Sequence, residues 1–167
     1  CGCYAMNAQS KLLVGDDLRC NEPLNKCNVW AVGGAAERLY RPANEDALAA
    51  YLASRPLEEP RFWLGLGSNL LIRDGGIEGS VLALSGVLDD LYLLESGRVF
   101  VGAGAPCPKV ARFLARHGLA GGEFLAGIPG TMGGALAMNA GAHGMETWPL
   151  VHRVRAIRPN GDRQWLT

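Results

Sequence analysis

Two glycine-rich segments constrain the fold of this chain more than any other feature of its sequence. The first is Gly65–Asn69, with the sequence GLGSN, and the second is GIPGTMGGA at residues 127–135. Such segments have few side chains in the way, so their successive N–H groups can converge on an anion such as a pyrophosphate. Either segment alone could be a tight structural turn without a ligand. Together, in one short chain, they predict an anion-binding site.

The second glycine segment lies in a stretch, residues 124–145, that has no formally charged residue at neutral pH. Its apolar character and the spacing of Gly130 and Gly134 also occur in membrane helices. Repeated glycines and a proline interrupt the stretch, however, and these residues break helices. We therefore predict a buried loop and a short helix wrapped around a ligand, with no membrane association.

Charge and cysteine content exclude other classes of function. The 167 residues carry 16 basic and 16 acidic side chains, for a formal net charge of zero. No stripe of lysine and arginine could neutralise a run of phosphates, so no nucleic-acid partner is expected. The five cysteines lack the spacing of a zinc site, which predicts reduced cytosolic thiols and no metal. We expect the residues before Met6 to be leader sequence, and no secretion signal is indicated.

The pattern of apolar residues predicts an α+β fold with two lobes. Residues 1–27 are expected to be a polar, irregular N-terminal extension, and residues 28–87 the first lobe. In that lobe Asn44 is predicted to cap a helix that ends at Ala53. Short strands are predicted at residues 62–64, 70–72 and 80–84, with a turn at 74–76.

Residues 88–167 are predicted to form the second lobe, with the boundary near residues 85–90. Its predicted elements are a hairpin of strands 91–95 and 98–101, a helix that stops at Gly118, and strands 151–157 and 163–166. We expect the glycine segments to face the cleft between the lobes.

The dinucleotide motif that opens a helix is matched neither by the first glycine segment nor by residues 102–107. Gly65–Asn69 lacks the third glycine of Gly-x-Gly-x-x-Gly, and an apolar, strand-like segment follows it. The Gly102 and Gly104 pair fails in the same way, and no P-loop lysine is present. The first segment is therefore predicted to be a strand–loop–strand turn, in which Ser68 and Asn69 can also donate from their side chains.

Several segments together resemble the UDP-N-acetylenolpyruvoylglucosamine reductases, which act in bacterial cell-wall synthesis. These segments are residues 28–34, 64–71, 102–104, 121–131 and 139–144. The resemblance runs in register from about Asn28 onward. It implies an FAD-binding fold of the vanillyl-alcohol oxidase and para-cresol methylhydroxylase type, with FAD held between two α+β lobes.

The resemblance also implies a reaction. NADPH reduces the flavin, which passes a hydride to the enolpyruvyl group of a UDP-N-acetylglucosamine enolpyruvate and so yields UDP-N-acetylmuramate. The serine, arginine and glutamate that serve the family's substrate have no counterpart up to Thr167, so no catalytic residue is expected within this chain and little activity from it alone. A monomer in the bacterial cytoplasm is expected. Two alternatives stay open: a noncatalytic FAD- or nucleotide-binding module, and another oxidoreductase of the same fold.

The resemblance assigns cofactor contacts residue by residue. At the FAD pyrophosphate it places Gly65, Gly67, Ser68 and Asn69. On the other side of the pyrophosphate it places Gly127, Ile128, Pro129, Gly130, Gly133, Gly134 and Ala135. Further cofactor contacts are expected at Leu66, Leu70, Gly102, Gly104 and Ala126. Asn139, Gly141 and Ala142 are expected close to the flavin. His143 is either a flavin or substrate contact or a histidine without function, and the sequence leaves both open.

Overall fold

A computed structural model describes residues 15–167, so Met6 and the cysteines before it lie outside the described residues. The chain divides into two compact units, which we call unit 1 and unit 2. Of the described residues, unit 1 contains 15–64, Leu70–Ala83 and Arg153–Thr167, and unit 2 contains Gly65–Asn69 and Leu84–His152. The first glycine segment thus groups with unit 2. The two lobes predicted from the sequence, residues 28–87 and 88–167, stay predictions. The compact units have other bounds, because residues 153–167 belong to unit 1.

Unit 1 is built on a four-stranded sheet. Its strands are β1 (Asp17–Pro23), β2 (Ala35–Arg41), β3 (Arg61–Leu64) and β4 (Ile77–Ala83). Their order is β1-β2-β4-β3, with β1 antiparallel to β2 and with β4 parallel to both β2 and β3. Helix α1 (Glu45–Ala53) runs between β2 and β3, which is the kind of crossover that parallel strands require.

The predicted helix is confirmed, because α1 begins after Asn44 and ends at Ala53. The Asn44 side chain accepts a hydrogen bond of 2.9 Å from the N–H of Ala47 and so caps the first turn. The predicted strand at 62–64 is confirmed within β3, and the one at 80–84 lies largely within the longer β4.

Two predictions for unit 1 are wrong. The segment before residue 28 is not irregular throughout, because Asp17–Pro23 forms β1 against β2. Residues 70–72 are not a strand. Ile72 is buried in the core of unit 1, but no strand ladder forms there, and the carbonyl of the next residue, Arg73, accepts from the N–H groups of Gly34 and Gly76. The apolar residues 70–72 thus contribute to the core of unit 1 although their backbone pairs with no strand.

Unit 2 consists of short helices and small hairpins. Its elements are β5 (Leu91–Leu93), β6 (Val99–Val101), α2 (Cys107–Arg116), a 3-10 turn at Glu123–Gly127, α3 (Met132–Met138), β7 (Gly141–Ala142), β8 (Met145–Glu146) and a 3-10 turn at Trp148–Leu150. The hairpin β5–β6 and the helix before Gly118 are confirmed. The charge-free stretch contains the short helix α3, as predicted. Within residues 15–167, no helix has the length and apolarity needed to cross a membrane.

The last strands, β9 (Val154–Ile157) and β10 (Arg163–Leu166), form an antiparallel hairpin that belongs to unit 1. Arg155 and Arg163 form ion pairs with Glu45 at the start of α1. The hairpin therefore packs on α1. The predicted strand at 151–157 starts three residues too early, because β9 begins at Val154.

The cysteines differ from the expectation of reduced thiols at one position. Cys20 is disulfide-bonded, so the expectation is wrong for this residue. Cys27 and Cys107 are free. Burial raises the pKa of the Cys107 thiol to about 11, which makes this thiol a core side chain and not a nucleophile.

In unit 1, the buried carboxylate of Glu59 interacts with three polar side chains. Its side chain is 8% exposed, and Arg55 Nε donates a 2.8 Å hydrogen bond to Oε2. Ser80 also donates to Glu59, and Arg38 lies 3.3 Å from Oε1. Burial raises the pKa of Glu59, but the hydrogen bonds from Arg55 and Ser80 and the charge of Arg38 outweigh it, so the net pKa is lowered.

We expect Glu59→Gln to destabilise the protein by about 3 kcal/mol at pH 7, because Arg55 loses the carboxylate that compensates its charge and Arg38 keeps only Glu37. A lowered pKa stabilises the fold above the ordinary glutamate value of about 4.3, and this contribution is lost as the pH falls through the folded value. The two unfolding free energies should therefore converge below about pH 4. Urea titrations from pH 2 to 7 measure this. The exposed neighbour Glu58→Gln is the control and should change stability by less than about 0.5 kcal/mol. A difference that persists at pH 2 would contradict the charge argument.

Candidate functional site

The two glycine segments meet within unit 2. A Cβ placed on Gly65 would lie 2.6 Å from Oγ1 of Thr131, and one placed on Gly130 would lie 3.7 Å from Oγ of Ser68. Gly65 and Ser68 belong to the first segment, and Gly130 and Thr131 to the second. The fold therefore brings together residues that the sequence places far apart.

The first segment offers unpaired backbone donors. Within the described part of the chain, the N–H groups of Leu66, Gly67, Ser68 and Asn69 form no hydrogen bond with the protein. Gly67 has a φ of 68° between neighbours of ordinary φ, an alternation typical of backbone turns that bind anions. This segment can thus donate several hydrogen bonds to one phosphate-like group.

The second segment has used most of its donors. The N–H groups of Met132 and Gly133 donate to the carbonyls of Ala105 and Ala103 over 2.9 and 2.8 Å, and Gly130 donates to a carbonyl within its own turn. Converging N–H groups therefore stay a prediction for the second segment, which has fewer free donors than the first. The second segment contributes a backbone surface at which the glycines have no side chains.

At three glycines of that surface, no close contact with the described residues requires that the side chain be missing. A Cβ on Gly127, Gly130 or Gly134 would find its nearest atom at 3.7, 3.7 or 3.8 Å, which is ordinary contact. None of the three has a positive φ. Alanine would fit the protein at each position, so the missing side chains leave a cradle that a Cβ would fill, as expected where a ligand approaches the backbone.

Gly102 and Gly104 differ from these open glycines. A Cβ on Gly102 would lie 1.9 Å from the carbonyl oxygen of Leu88, and one on Gly104 would lie 1.8 Å from that of Val87. The close approach of two backbone segments therefore explains both glycines. A cofactor contact at either position stays a prediction.

The segment after α3 approaches the second glycine segment at Gly127. A Cβ on Gly127 would lie 3.7 Å from Cβ of Ala142 and 3.9 Å from Nε2 of His143. Asn139 has a left-handed φ of 45° and ends α3, and its Nδ2 donates to Glu146 over 2.7 Å. The Asn139 side chain therefore holds the β7–β8 hairpin, whereas His143 is exposed beside Gly127.

The other predicted contacts fall into three groups, and a cofactor contact at each of them stays a prediction. Leu70 lies in unit 1 and packs against its core, while Ile128 and Ala135 belong to the core of unit 2. Leu66, Asn69, Ala126 and Pro129 are exposed. A Cβ would lie 3.0 Å from the Ala103 carbonyl oxygen at Gly133 and 2.4 Å from that of Met145 at Gly141, so packing explains both glycines.

Thr131 is the site residue that the sequence-based assignment missed. It is buried, with 3% of its surface exposed, and it lies against Gly65. The signal that could have identified it is the single hydroxyl in an otherwise glycine-rich and apolar segment.

The site can bind an anion but carries no formal charge of its own. Its donors are backbone N–H groups and the hydroxyls of Ser68 and Thr131, which suit the oxygens of a diphosphate. Among residues 15–167, no group of three or more His, Cys, Asp or Glu side chains could hold a metal ion. The geometry therefore favours a bound phosphate compound held by neutral donors.

Comparison with known proteins agrees with this geometry. A family model described as FAD binding domain matches residues 36–167. A UDP-N-acetylenolpyruvoylglucosamine reductase of Legionella pneumophila (strain Corby) is 56% identical over 142 residues, which cover 85% of this chain and 46% of the relative. One of Nitrosomonas eutropha is 50% identical over 161 residues, 94% of this chain and 48% of the relative. The chain thus spans about half the length of the curated relatives it matches.

A solved structure is similar as well. The crystal structure of UDP-N-acetylenolpyruvylglucosamine reductase from Thermus caldophilus matches with a TM-score of 0.66 and 28% sequence identity. The match covers 90% of this chain and 52% of that chain. The resemblance found in the sequence motifs is confirmed, and so is the α+β FAD-binding fold.

Proposed function

Because this chain belongs to the family of FAD binding domains, we propose that it provides the FAD site of a UDP-N-acetylenolpyruvoylglucosamine reductase. Relatives with that name, 56% and 50% identical to the chain, support the proposal. They do so over about half of their own length, so the activity of the whole enzyme is part of the proposal.

One structural observation carries the proposal. The free N–H groups of the first glycine segment lie beside the open glycines of the second. FAD contains a diphosphate between its flavin and adenine ends, and such a group needs several donors and an unobstructed backbone. Both requirements are met by residues of this chain.

In the proposed reaction NADPH is the reductant, and the enolpyruvyl group of a UDP-sugar is reduced to give UDP-N-acetylmuramate for peptidoglycan synthesis. Bound FAD would supply the hydride-transfer chemistry. The residues of this chain would bind and orient it: Gly65–Asn69 by donating to the diphosphate, and Gly127, Gly130 and Gly134 by letting it approach the backbone. We place the proton donor and the substrate-binding cation in the part of the reductase that this chain does not match. The proposal includes a monomer in the bacterial cytoplasm.

We expect the purified chain to bind FAD with a stoichiometry near one, measured by quenching of flavin fluorescence and by the bound-flavin absorption spectrum. Riboflavin, which has no diphosphate, is the matched control ligand and should bind at least about tenfold more weakly. A well-folded chain without affinity for FAD would overturn the proposal.

A second measurement separates a reductase portion from a noncatalytic module. We expect the chain alone to oxidise NADPH no faster when the UDP-sugar enolpyruvate is added. A fusion of this chain to the unmatched part of the Legionella pneumophila relative should show substrate-dependent NADPH oxidation. A fusion that binds FAD but shows no such turnover would favour the noncatalytic module.

A further inference from the structure

Unit 2 has a surface cavity to which neither glycine segment contributes. Its volume is about 530 Å³, and its lining combines residues 89–91 with one face of α2. The helix contributes Lys109, Arg112, Phe113 and Arg116. Sites that hold small molecules have volumes of roughly 300–1,000 Å³, so the cavity is large enough for such a ligand. The charges of its lining then decide which ligand would fit.

Two arginines on α2 form a cationic wall of this cavity. Arg112 and Arg116 are four residues apart, so they lie on the same face of the helix, about one turn from each other. Both are exposed, and within residues 15–167 neither guanidinium group forms an ion pair or a side-chain hydrogen bond. Like charges at this spacing weaken a helix, so the fold itself gains nothing from the pair.

The third cation of the helix face is already paired. Nζ of Lys109 lies 2.8 Å from Oδ2 of Asp89, and this ion pair joins α2 to the segment that precedes β5. The neighbouring Asp90 is exposed, and its carboxylate has no such partner among the described residues. The cavity therefore keeps two unpaired cations on the helix and one unpaired carboxylate on the segment before β5.

These three unpaired charges define a complementary ligand. A guanidinium group binds a carboxylate or a phosphate through parallel N–H donors, so the two arginines suit a ligand with two acidic groups. The carboxylate of Asp90 repels such groups and attracts an ammonium group. Leu91 and the half-buried Phe113 add apolar surface to the same lining, which suits a short hydrocarbon chain between the charged groups.

We propose that this cavity binds a small zwitterion with two acidic groups and one ammonium group, which is the chemistry of an acidic amino acid. The acidic groups pair with Arg112 and Arg116, the ammonium group pairs with Asp90, and the methylene carbons contact Phe113. The inference does not depend on the FAD site, because no residue of the cavity belongs to a glycine segment.

Isothermal titration calorimetry of the purified chain at low ionic strength tests the proposal, with L- and D-glutamate as probes. We expect a dissociation constant of about 1 mM or below for at least one of the two forms. Glutarate lacks the ammonium group, 4-aminobutyrate lacks one carboxylate, and inorganic phosphate is a plain anion, so each should bind at least about tenfold more weakly. Equal affinity for glutarate or phosphate would overturn the proposal, and so would the absence of glutamate binding.

Substitutions show whether binding occurs in the cavity. Arg112→Gln and Arg116→Gln should each lower glutamate affinity about fivefold or more, because each removes a charge-assisted contact. Asp90→Asn should lower the affinity for glutamate but not that for glutarate, which has no ammonium group. Arg98→Gln changes an exposed arginine outside the cavity and should bind glutamate like the wild type.

The thermal unfolding midpoints of these four variants should stay within about 2 °C of the wild type, because all of the changed side chains are exposed. A loss of glutamate affinity in the cavity variants can then be assigned to the missing contacts. Glutamate affinity that stays unchanged in both Arg112→Gln and Arg116→Gln would show that the ligand binds elsewhere, and the proposal would be wrong.

Discussion

The Gly104→Ala variant is expected to be less stable than the wild type by about 3 kcal/mol or more. The added Cβ would lie 1.8 Å from the carbonyl oxygen of Val87 and 2.1 Å from that of Leu84. Both atoms belong to the backbone, so no side-chain rotation can relieve the overlap. The N–H of Gly104 also donates to the carbonyl of Leu88 over 3.1 Å, and a shift of the loop would weaken this bond.

Thermal unfolding of the protein without ligand measures the effect, and the midpoint should fall by roughly 6–12 °C. Gly75→Ala is the matched control, because a Cβ on Gly75 would meet no atom within 4 Å and its φ is not positive. Its midpoint should stay within about 2 °C of the wild type. If Gly104→Ala keeps its midpoint but loses FAD affinity, then Gly104 serves the cofactor and not the fold.

Local sequence signals predicted α1 and failed for β1. The helix is specified within its own segment, by a capping Asn44 and acidic residues in the first turn. The strand is specified by its partner, since the polar Asp17–Pro23 becomes a strand through its register with β2. The apolar residues 70–72 show the converse, because Ile72 fills the core although no strand pairs with its backbone. The periodicity of one segment does not show which other segment its backbone pairs with.

The two segments of the candidate site were predictable from the sequence, whereas the number of free N–H donors in each segment was not. Motif resemblance identified both glycine segments. Whether an N–H group is free depends on acceptors elsewhere in the fold. In the second segment, Met132 and Gly133 donate to the carbonyls of Ala105 and Ala103, and nothing in the sequence marks these carbonyls as acceptors. The distinction between a glycine that the backbone needs, such as Gly104, and an open one, such as Gly130, is likewise a matter of distance to other segments.

The opposite result is expected for Gly130→Ala, which should keep its stability and lose affinity for FAD. The added Cβ would meet Oγ of Ser68 at 3.7 Å and Cγ2 of Ile128 at 3.9 Å, both ordinary contacts, and φ at this position suits alanine. The free energy of unfolding without ligand should therefore change by less than about 0.5 kcal/mol.

FAD affinity of Gly130→Ala should fall about tenfold to a hundredfold, because a methyl group would occupy the surface on which the diphosphate is proposed to lie, and overpacking costs about 1–3 kcal/mol. Fluorescence titration with FAD measures this, with Gly75→Ala as the control that should bind FAD like the wild type. Riboflavin affinity should be unchanged in both variants, since riboflavin has no diphosphate to displace. Unchanged FAD affinity in Gly130→Ala would mean that the open glycines do not contact the cofactor, and the cradle would then have to be assigned to the first segment alone.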